Sequence, residues 1–170
     1  MSRLLLLCIV MVLSACATMP SLLKTGGPYS ATTPQQAQSG KHQGERVMWG
    51  GRIIRSSPQN EQTCFEIMGM ALSKSGEPKG EDHSLGRFIA CIKGFYDPAV
   101  YAPGRMLTFA GHLNGTEQQK VGDFMYSFPR LSADVLYLWP KRPNVIYVPT
   151  YDPFWDPFWP YYYHPYPHRR

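Results

Sequence analysis

The stretch VMWGGRII, residues 47–54, decides the fold class of this chain. Bulky apolar, aromatic and β-branched residues of this kind are typical of a strand, and the Gly50-Gly51 pair in the middle indicates a bend or a bulge. The sequence therefore predicts that a folded domain starts near Arg46 with a bent β-strand.

Further strand-like segments follow this one at near-regular spacing. Turn-forming residues separate them, among them Asn114-Gly115, a strong hairpin signal. No segment shows a helical period, so residues 46–140 are predicted to form an all-β sandwich or small barrel of about six strands. Glycines inside the strands favour a closed, tightly curved barrel. The further segments cover residues 63–72, 87–95, 106–113, 120–128 and 131–139.

The first fifteen residues predict a secretory signal peptide. Arg3 supplies a positive charge, residues 4–13 form an apolar run, and two small residues precede Cys16. This run is too short for a membrane-spanning helix, which needs about twenty residues. The sequence LSAC at residues 13–16 resembles the bacterial lipobox, which implies cleavage before Cys16 and lipid on its thiol. An ordinary signal peptide with a chance cysteine is the alternative.

Lipid on Cys16 makes the membrane the first expected partner. One acyl chain binds a membrane only marginally and stable anchoring needs about two, whereas the lipobox chemistry adds three. Residue 17 is alanine, and the aspartate that retains lipoproteins in the inner membrane is absent from this position. We therefore expect an outer-membrane location, in the periplasm-facing leaflet rather than at the cell surface.

The segments that flank the predicted domain have compositions of their own. Residues 16–45 are rich in Ser, Thr, Gln, Gly and Pro, which predicts a lipidated cysteine followed by a flexible, disordered tether. Residues 141–170 form a tail, in which residues 151–170 hold nine of the chain's 23 aromatic side chains and five of its 16 prolines. Such a tail is extended and suits contact with a membrane, a partner or its own barrel. The candidate contact residues are Trp155, Trp159, Tyr161, Tyr162 and Tyr163.

Charge and motif content argue against two functional classes. Removal of residues 1–15 takes away Arg3 and leaves a formal net charge of +4, one less than the +5 of the full chain. The basic residues are scattered singly, so we expect no nucleic-acid partner. Residues 81–84, EDHS, contain the groups of a catalytic triad, but adjacent side chains cannot converge as a triad does. We expect no enzyme, no metal and no cofactor.

Several motifs resemble the Slp family of outer-membrane lipoproteins. They are Trp-Gly-Gly (49–51), Ser-x-Gly-Arg-Phe (84–88), Gly-Phe-x-Asp-Pro-x-x-Tyr (94–101) and Leu-Trp-Pro (138–140). The resemblance covers residues 46–140 and implies an outer-membrane lipoprotein associated with starvation or stationary phase. It supports an OB-like barrel and implies no catalytic residue.

Two sets of residues are candidate sites within the barrel. Cys64 and Cys91 are the cysteines that remain once Cys8 is removed and Cys16 is lipidated, and the envelope is oxidising. They predict a disulfide between outer faces of neighbouring strands, with two free thiols as the alternative. Charged residues of both signs recur in or near the family motifs and form either a ligand site or a structural ion-pair network. They are Arg52, Glu66, Arg87, Asp97 and Arg105.

The leading hypothesis for function is a structural or interaction role in the cell envelope, with an envelope protein or peptidoglycan as candidate partner. The alternative is a binding module whose OB-like barrel face takes up a glycan, a peptide or a small ligand. An open polar groove lined by Arg52, Arg87 or Arg105 would favour the binding module. Pairing of the same arginines at a closed barrel end would favour the structural role.

Overall fold

Residues 19–24, 26–80 and 83–141 are described by the computed structural model of the chain. In these ranges the elements are α1 (Ser21–Lys24), α2 (Pro34–Ala37), β1 (Arg46–Pro58), β2 (Gln62–Met70), β3 (Arg87–Lys93), β4 (Met106–Val121) and β5 (Phe124–Leu138). None of the helices described is long and apolar enough to cross a membrane.

The five strands form a closed barrel in the order β1-β2-β3-β5-β4. β3 and β5 run parallel, through residues 89–92 and 130–133, and the other neighbours are antiparallel. This arrangement is the Greek-key topology of the OB fold. The prediction of an all-β, OB-like barrel is confirmed.

The barrel has five strands rather than about six, because the Asn114-Gly115 pair does not reverse the chain. Gly115 has a φ of +77° and lies in a bulge of β4, where the register shifts between Leu113 and Thr116. A bulge bends a strand and increases its twist without ending it. The chain turns instead at Gly122-Asp123, between paired Val121 and Phe124.

Residues 26–45 pack against the barrel, where the sequence predicts a flexible tether. The indole of Trp49 donates to the carbonyl of Thr32 at 2.7 Å, and the amide of Ser30 donates to Arg46 O at 2.8 Å. Thr33 caps α2 through a reciprocal capping box, and Ala37 is buried in the barrel core. Small residues and hydrogen bonds hold this segment, so its lack of large apolar side chains was a misleading signal.

Aromatic side chains fill the barrel between its two ends. The rings of Phe88 and Phe109 are fully buried, with centroids 6.4 Å apart. At the end opposite α2, Tyr96 and Tyr101 from the β3–β4 loop pack on Phe65 at 6.1 and 5.7 Å. Each such buried side chain contributes about 1.5–3 kcal/mol to folding. Both ends of the barrel are therefore covered by the chain itself.

Two glycines allow neighbouring strands to approach closely, one between β1 and β2 and one between β4 and β5. A Cβ atom at Gly51 would lie 1.9 Å from Met68 O, and one at Gly111 would lie 2.1 Å from Ser132 O. Real Cβ atoms essentially never approach a carbonyl oxygen so closely, so these positions need glycine. The sequence-based interpretation of strand glycines as marks of a tightly curved barrel agrees with this geometry.

Candidate functional site

A disulfide links β2 and β3 on the outside of the barrel. Cys64 lies directly opposite Cys91 in the antiparallel register, with Cα atoms 4.0 Å apart, and the two sulfurs are bonded. Phe65 and Ala90 face the core, so strand alternation places both sulfurs on the outer face. Even there the cysteines are only 6% and 8% exposed, because a second apolar cluster surrounds them.

The far part of the β4–β5 hairpin provides the cover for this outer face. Phe128, 1% exposed, packs in the cluster with Cys64 and Cys91, and Tyr126 packs on Phe128 with ring centroids 4.8 Å apart. The Tyr126 hydroxyl accepts hydrogen bonds from Gln38 Nε2 at 2.5 Å and from the Arg87 amide at 2.8 Å. The hairpin is thus held against β3 and against the N-terminal segment.

Glu66 is the centre of an ion-pair network on the same face. Its carboxylate lies 3.0 Å from Arg87 Nη1 and 3.5 Å from Arg55 Nη2, and its side chain is 13% exposed. The candidate polar cluster predicted from the sequence includes Glu66 and Arg87. It includes Arg52 but not Arg55. Arg52 lies opposite Met68 in the strand register, and a register shift after Ile53 places Arg55 directly opposite Glu66.

The other three predicted members of this polar cluster lie elsewhere. Arg52 is exposed on β1 and joins no ion pair within the described residues. Asp97 is exposed, and its Oδ1 accepts from the Ala99 amide at 2.8 Å in a local turn. Arg105 donates from Nη1 to Val100 O at 3.2 Å and from Nη2 to Trp139 O at 3.1 Å. The predicted cluster of five is therefore corrected to one pair, Glu66 and Arg87, with separate structural roles for Asp97 and Arg105.

A second ion pair, which sequence reasoning missed, joins Glu117 of β4 to Arg130 of β5. Gln119 Nε2 also donates to Glu117 at 2.7 Å, and Arg130 Nη2 lies 3.2 Å from Cys91 Sγ. The hydrogen bond from Gln119 is the largest influence on the pKa of Glu117 and lowers it, helped by Arg130 and opposed by partial burial. Only the folded position of the hairpin brings these groups together, so no local motif could have indicated them.

A small groove lies between the β1–β2 turn and the hairpin, with the disulfide at its base. Its volume is about 200 Å³. Both walls carry hydrogen-bond donors and acceptors, and this outer face of β2 and β3 is where OB folds bind ligands. The lining residues are Arg55, Ser57, Gln59, Cys64, Glu66, Ile89, Glu117, Gln119 and Arg130.

A larger cavity of about 560 Å³ lies beside Trp139, between the β2–β3 and β3–β4 loops. Pro78 and Pro103 line it together with the stem of Arg105. The indole of Trp139 donates to Thr108 Oγ1 at 2.9 Å, and that hydroxyl donates to Gly76 O at 2.7 Å. These bonds attach the β2–β3 loop to β4.

Neither a catalytic triad nor a metal cluster is found within residues 19–24, 26–80 and 83–141. Ser84 Oγ donates to Gly69 O at 3.4 Å and accepts from the Gly86 amide at 3.1 Å, so both of these bonds are to backbone groups. Glu81 and Asp82 lie outside the described residues. No group of three or more His, Cys, Asp or Glu side chains in those ranges could hold a metal ion.

Glu45 is a further charged residue that sequence reasoning did not select. Its carboxylate accepts from Thr32 Oγ1 at 2.6 Å and Ser30 Oγ at 2.7 Å, and it contacts His42 Nδ1 at 2.8 Å. These bonds, that of Thr32 first, lower the pKa of Glu45 from 4.5 to about 2. Glu45 thereby joins the N-terminal segment to the start of β1.

The remaining predicted sites fall outside the described residues. These are the signal peptide at residues 1–15, the lipidation site Cys16, and the aromatic tail residues Trp155, Trp159, Tyr161, Tyr162 and Tyr163.

Comparison with known proteins connects this barrel to bacterial lipoproteins. Residues 13–167 match the family described as "Outer membrane lipoprotein Slp family". The "Uncharacterized lipoprotein YeaY" of Escherichia coli (strain K12) is 28% identical over 145 residues, which cover 82% of this chain and 72% of that protein. "Outer membrane protein Slp" of the same strain is 25% identical over 144 residues, 83% and 76% of the two chains. An uncharacterized protein of Haemophilus influenzae is 34% identical over 94 residues, 55% and 51% of the two chains. This chain therefore belongs to the Slp family of outer membrane lipoproteins.

Proposed function

We propose that this protein is a non-enzymatic lipoprotein anchored in the periplasm-facing leaflet of the outer membrane by lipid on Cys16. Its barrel has a structural or interaction role in the envelope, and its expression belongs to starvation or stationary phase. The observation that carries the proposal is the LSAC sequence at residues 13–16, at the end of a short apolar run in a chain of this family. The lipid chains bind the membrane, and the barrel acts beside it.

The contacts of the charged residues support a structural role for the barrel. Glu66 is paired with two arginines and Glu117 is paired with Arg130. Arg105 donates to two carbonyl oxygens, and its buried Nε has no hydrogen-bond partner among the described residues. Charges that are satisfied by neighbours in this way hold secondary structure elements together and leave little unsatisfied charge for chemistry.

Replacement of the lipidation site tests the anchor. Cys16→Ser is expected to abolish incorporation of radiolabelled palmitate and to release the protein from the membrane fraction into the soluble periplasmic fraction. Cys8→Ser is the matched control, because it changes a thiol in the apolar run and should leave labelling and fractionation unchanged. Retention of both label and membrane location by Cys16→Ser would overturn the proposal.

A binding role on the β2–β3 face is the second candidate, and the groove between the β1–β2 turn and the hairpin is the observation that favours it. Ser57, Gln59 and Gln119 place neutral polar groups there, which suit a glycan or a peptide. Isothermal titration with soluble peptidoglycan fragments tests this role. Binding that is lost in Gln59→Ala/Gln119→Ala, with the melting temperature unchanged, would support it.

For the tail we propose contact with the membrane or an envelope partner through its aromatic rings. Tyr and Trp combine an apolar ring with a polar group, which suits both settings. A photo-reactive amino acid in place of Trp155 or Trp159 tests the proposal in cells. Crosslinks to lipid or to one dominant protein would support it, and crosslinks only within the same chain would overturn it.

A further inference from the structure

The chain between the lipidation site and the folded body is short. Cys16 precedes Met19, the first described residue, by three positions. Three residues span at most about 10 Å when fully extended. If Met19 is fixed to the barrel, the acyl chains on Cys16 therefore hold one particular side of the barrel at the membrane surface.

Met19 and α1 are fixed to the barrel by contacts with the β2–β3 loop. Leu23 is completely buried, and its carbonyl accepts a hydrogen bond from the Tyr29 hydroxyl at 2.8 Å. Side-chain atoms of Leu23 and Met19 lie 3.1 and 3.7 Å from where a Cβ of Gly76 would be. The Gly76 carbonyl in turn accepts the bond from Thr108 of β4 at 2.7 Å. These contacts connect Met19 and Leu23 through Gly76 to Thr108 in the barrel wall.

The surface around these contacts has the composition of a membrane-contact surface. Leu22 is 56% exposed on α1, and Lys24 is exposed at the end of the same helix. Lys74 and Lys79 are exposed on the β2–β3 loop, on either side of Gly76. None of these lysines takes part in the ion pairs within the described residues. Of the three acidic residues in this loop, Glu77 is half-buried, and Glu81 and Asp82 lie outside the described residues.

We propose that Leu22, Lys24, Lys74 and Lys79 form a membrane-facing surface that lies against the anionic phospholipid head groups of the leaflet holding the anchor. Exposed lysines next to a membrane attract anionic lipids, and an exposed leucine inserts at the boundary of head groups and acyl chains. The proposal rests on lipidation of Cys16, and it adds an orientation to it. The barrel lies directly on the membrane and is not suspended from a long tether.

Other exposed large apolar side chains in the described residues lie on the β3–β4 loop, at Phe95 and Val100, and at the hairpin tip, which serves as the control. Phe124 is 69% exposed, more than Leu22, but Val121 and Phe124 lie thirteen or more residues beyond Thr108 along β4 and β5. Hydrophobicity alone would bring Phe95 or Phe124 to the membrane rather than Leu22. The three-residue connection between Cys16 and Met19 brings Leu22 to the membrane instead.

Fluorescence quenching in vesicles tests the orientation. The mature lipidated protein is prepared as Leu22→Cys or Phe124→Cys and labelled on the added thiol with an environment-sensitive fluorophore. It is then reconstituted into phosphatidylglycerol-containing vesicles with brominated acyl chains. We expect quenching of the label at position 22 and none at position 124. Equal quenching at both positions, or quenching only at position 124, would overturn the proposal.

A second test measures membrane binding in a chain without the lipid anchor. A negative result there contradicts the membrane-facing surface and leaves the proposal of lipidation at Cys16 unaffected. In the Cys16→Ser full-length chain, the combined change Lys24→Gln/Lys74→Gln/Lys79→Gln is expected to weaken sedimentation with phosphatidylglycerol vesicles on the order of a hundredfold, since each lysine contributes about fivefold. The matched control neutralises Lys41, Lys93 and Lys120, which are also exposed. Equal losses in the two triple variants would show a diffuse charge effect and would contradict the proposal.

Discussion

The disulfide face and the membrane-facing surface use their charges in opposite ways. On the disulfide face, Glu66 and Glu117 are each paired with arginine, and the charges lie beside an apolar cluster. On the membrane-facing surface, Lys24 and Lys74 are exposed, carry the same sign, and join none of the ion pairs of the described chain. Paired charges hold the fold, whereas exposed charges of one sign remain available to an oppositely charged surface.

This comparison predicts that substitutions on the first face affect stability and substitutions on the second affect membrane binding. Each face carries side chains in which a single group can be replaced conservatively, so the comparison can be tested by substitution.

Removal of the disulfide should have the largest effect. Cys64 and Cys91 are 27 residues apart, and the entropy of closing such a loop in the unfolded chain predicts that Cys64→Ala/Cys91→Ala lowers the free energy of unfolding by about 3–4 kcal/mol. Urea denaturation of the Cys16→Ser chain measures the change. A loss below about 1 kcal/mol would mean that the cluster around Phe128 holds the face without the bond.

Loss of the Glu66 charge should have a smaller effect on the same face. Glu66→Gln keeps the shape of the side chain but leaves the Arg87 guanidinium without its anionic partner, so we expect a loss of about 1–2 kcal/mol. Glu61→Gln is the control, since Glu61 is exposed in the β1–β2 turn. Denaturation curves that coincide for the two variants would argue against a structural role for this ion pair.

Neutralising Lys24, Lys74 and Lys79 together should change the free energy of unfolding by less than about 0.5 kcal/mol, because exposed substitutions of this kind rarely matter to stability. The same triple variant should bind anionic vesicles far more weakly than the parent. A clear drop in its melting temperature would show that the lysines belong to the fold and would remove the contrast between the two faces.

Acid should weaken the attachment of the N-terminal segment through Glu45. The pKa of Glu45 is lowered to about 2 in the folded chain, so its contribution is fully present above the unfolded pKa near 4.5 and is lost as the pH falls towards 2. We expect the stability difference between the parent and Glu45→Gln to shrink over this window in thermal melts. A difference that stays constant from pH 6 to pH 2 would contradict the assignment.

The barrel could be predicted from the sequence because its signals are local. Strand alternation placed Phe65 and Ala90 towards the core and the two cysteines outside, and the Gly50-Gly51 pair indicated a bent strand of a curved barrel. The Asn114-Gly115 pair predicted a hairpin turn, which was wrong. A glycine with positive φ occurs both in hairpin turns and in strand bulges, and Gly115 lies in a bulge. Only the pairing of the neighbouring strand distinguishes these two cases.

The charged contacts were less predictable because they depend on register and on long-range folding. A one-residue bulge decides that Arg55, and not Ile54, lies opposite Glu66, while Arg52 lies opposite Met68. The position of the hairpin decides that Arg130 reaches Cys91 Sγ. The packing of residues 26–45 was missed for another reason, since Thr32 and Ala37 add little hydrophobicity and act through hydrogen bonds and fit.

Under the proposal that Cys16 is the lipidated and processed residue, the burial of Leu23 also implies an order of events in maturation of the lipoprotein. The enzymes that acylate and cleave a lipoprotein precursor act at the membrane on an accessible stretch of chain around the cysteine. With Met19 packed near Gly76, little free chain would remain on the carboxyl side of Cys16. We therefore expect the barrel to close first and α1 to dock last, after processing, so that docking marks the mature protein.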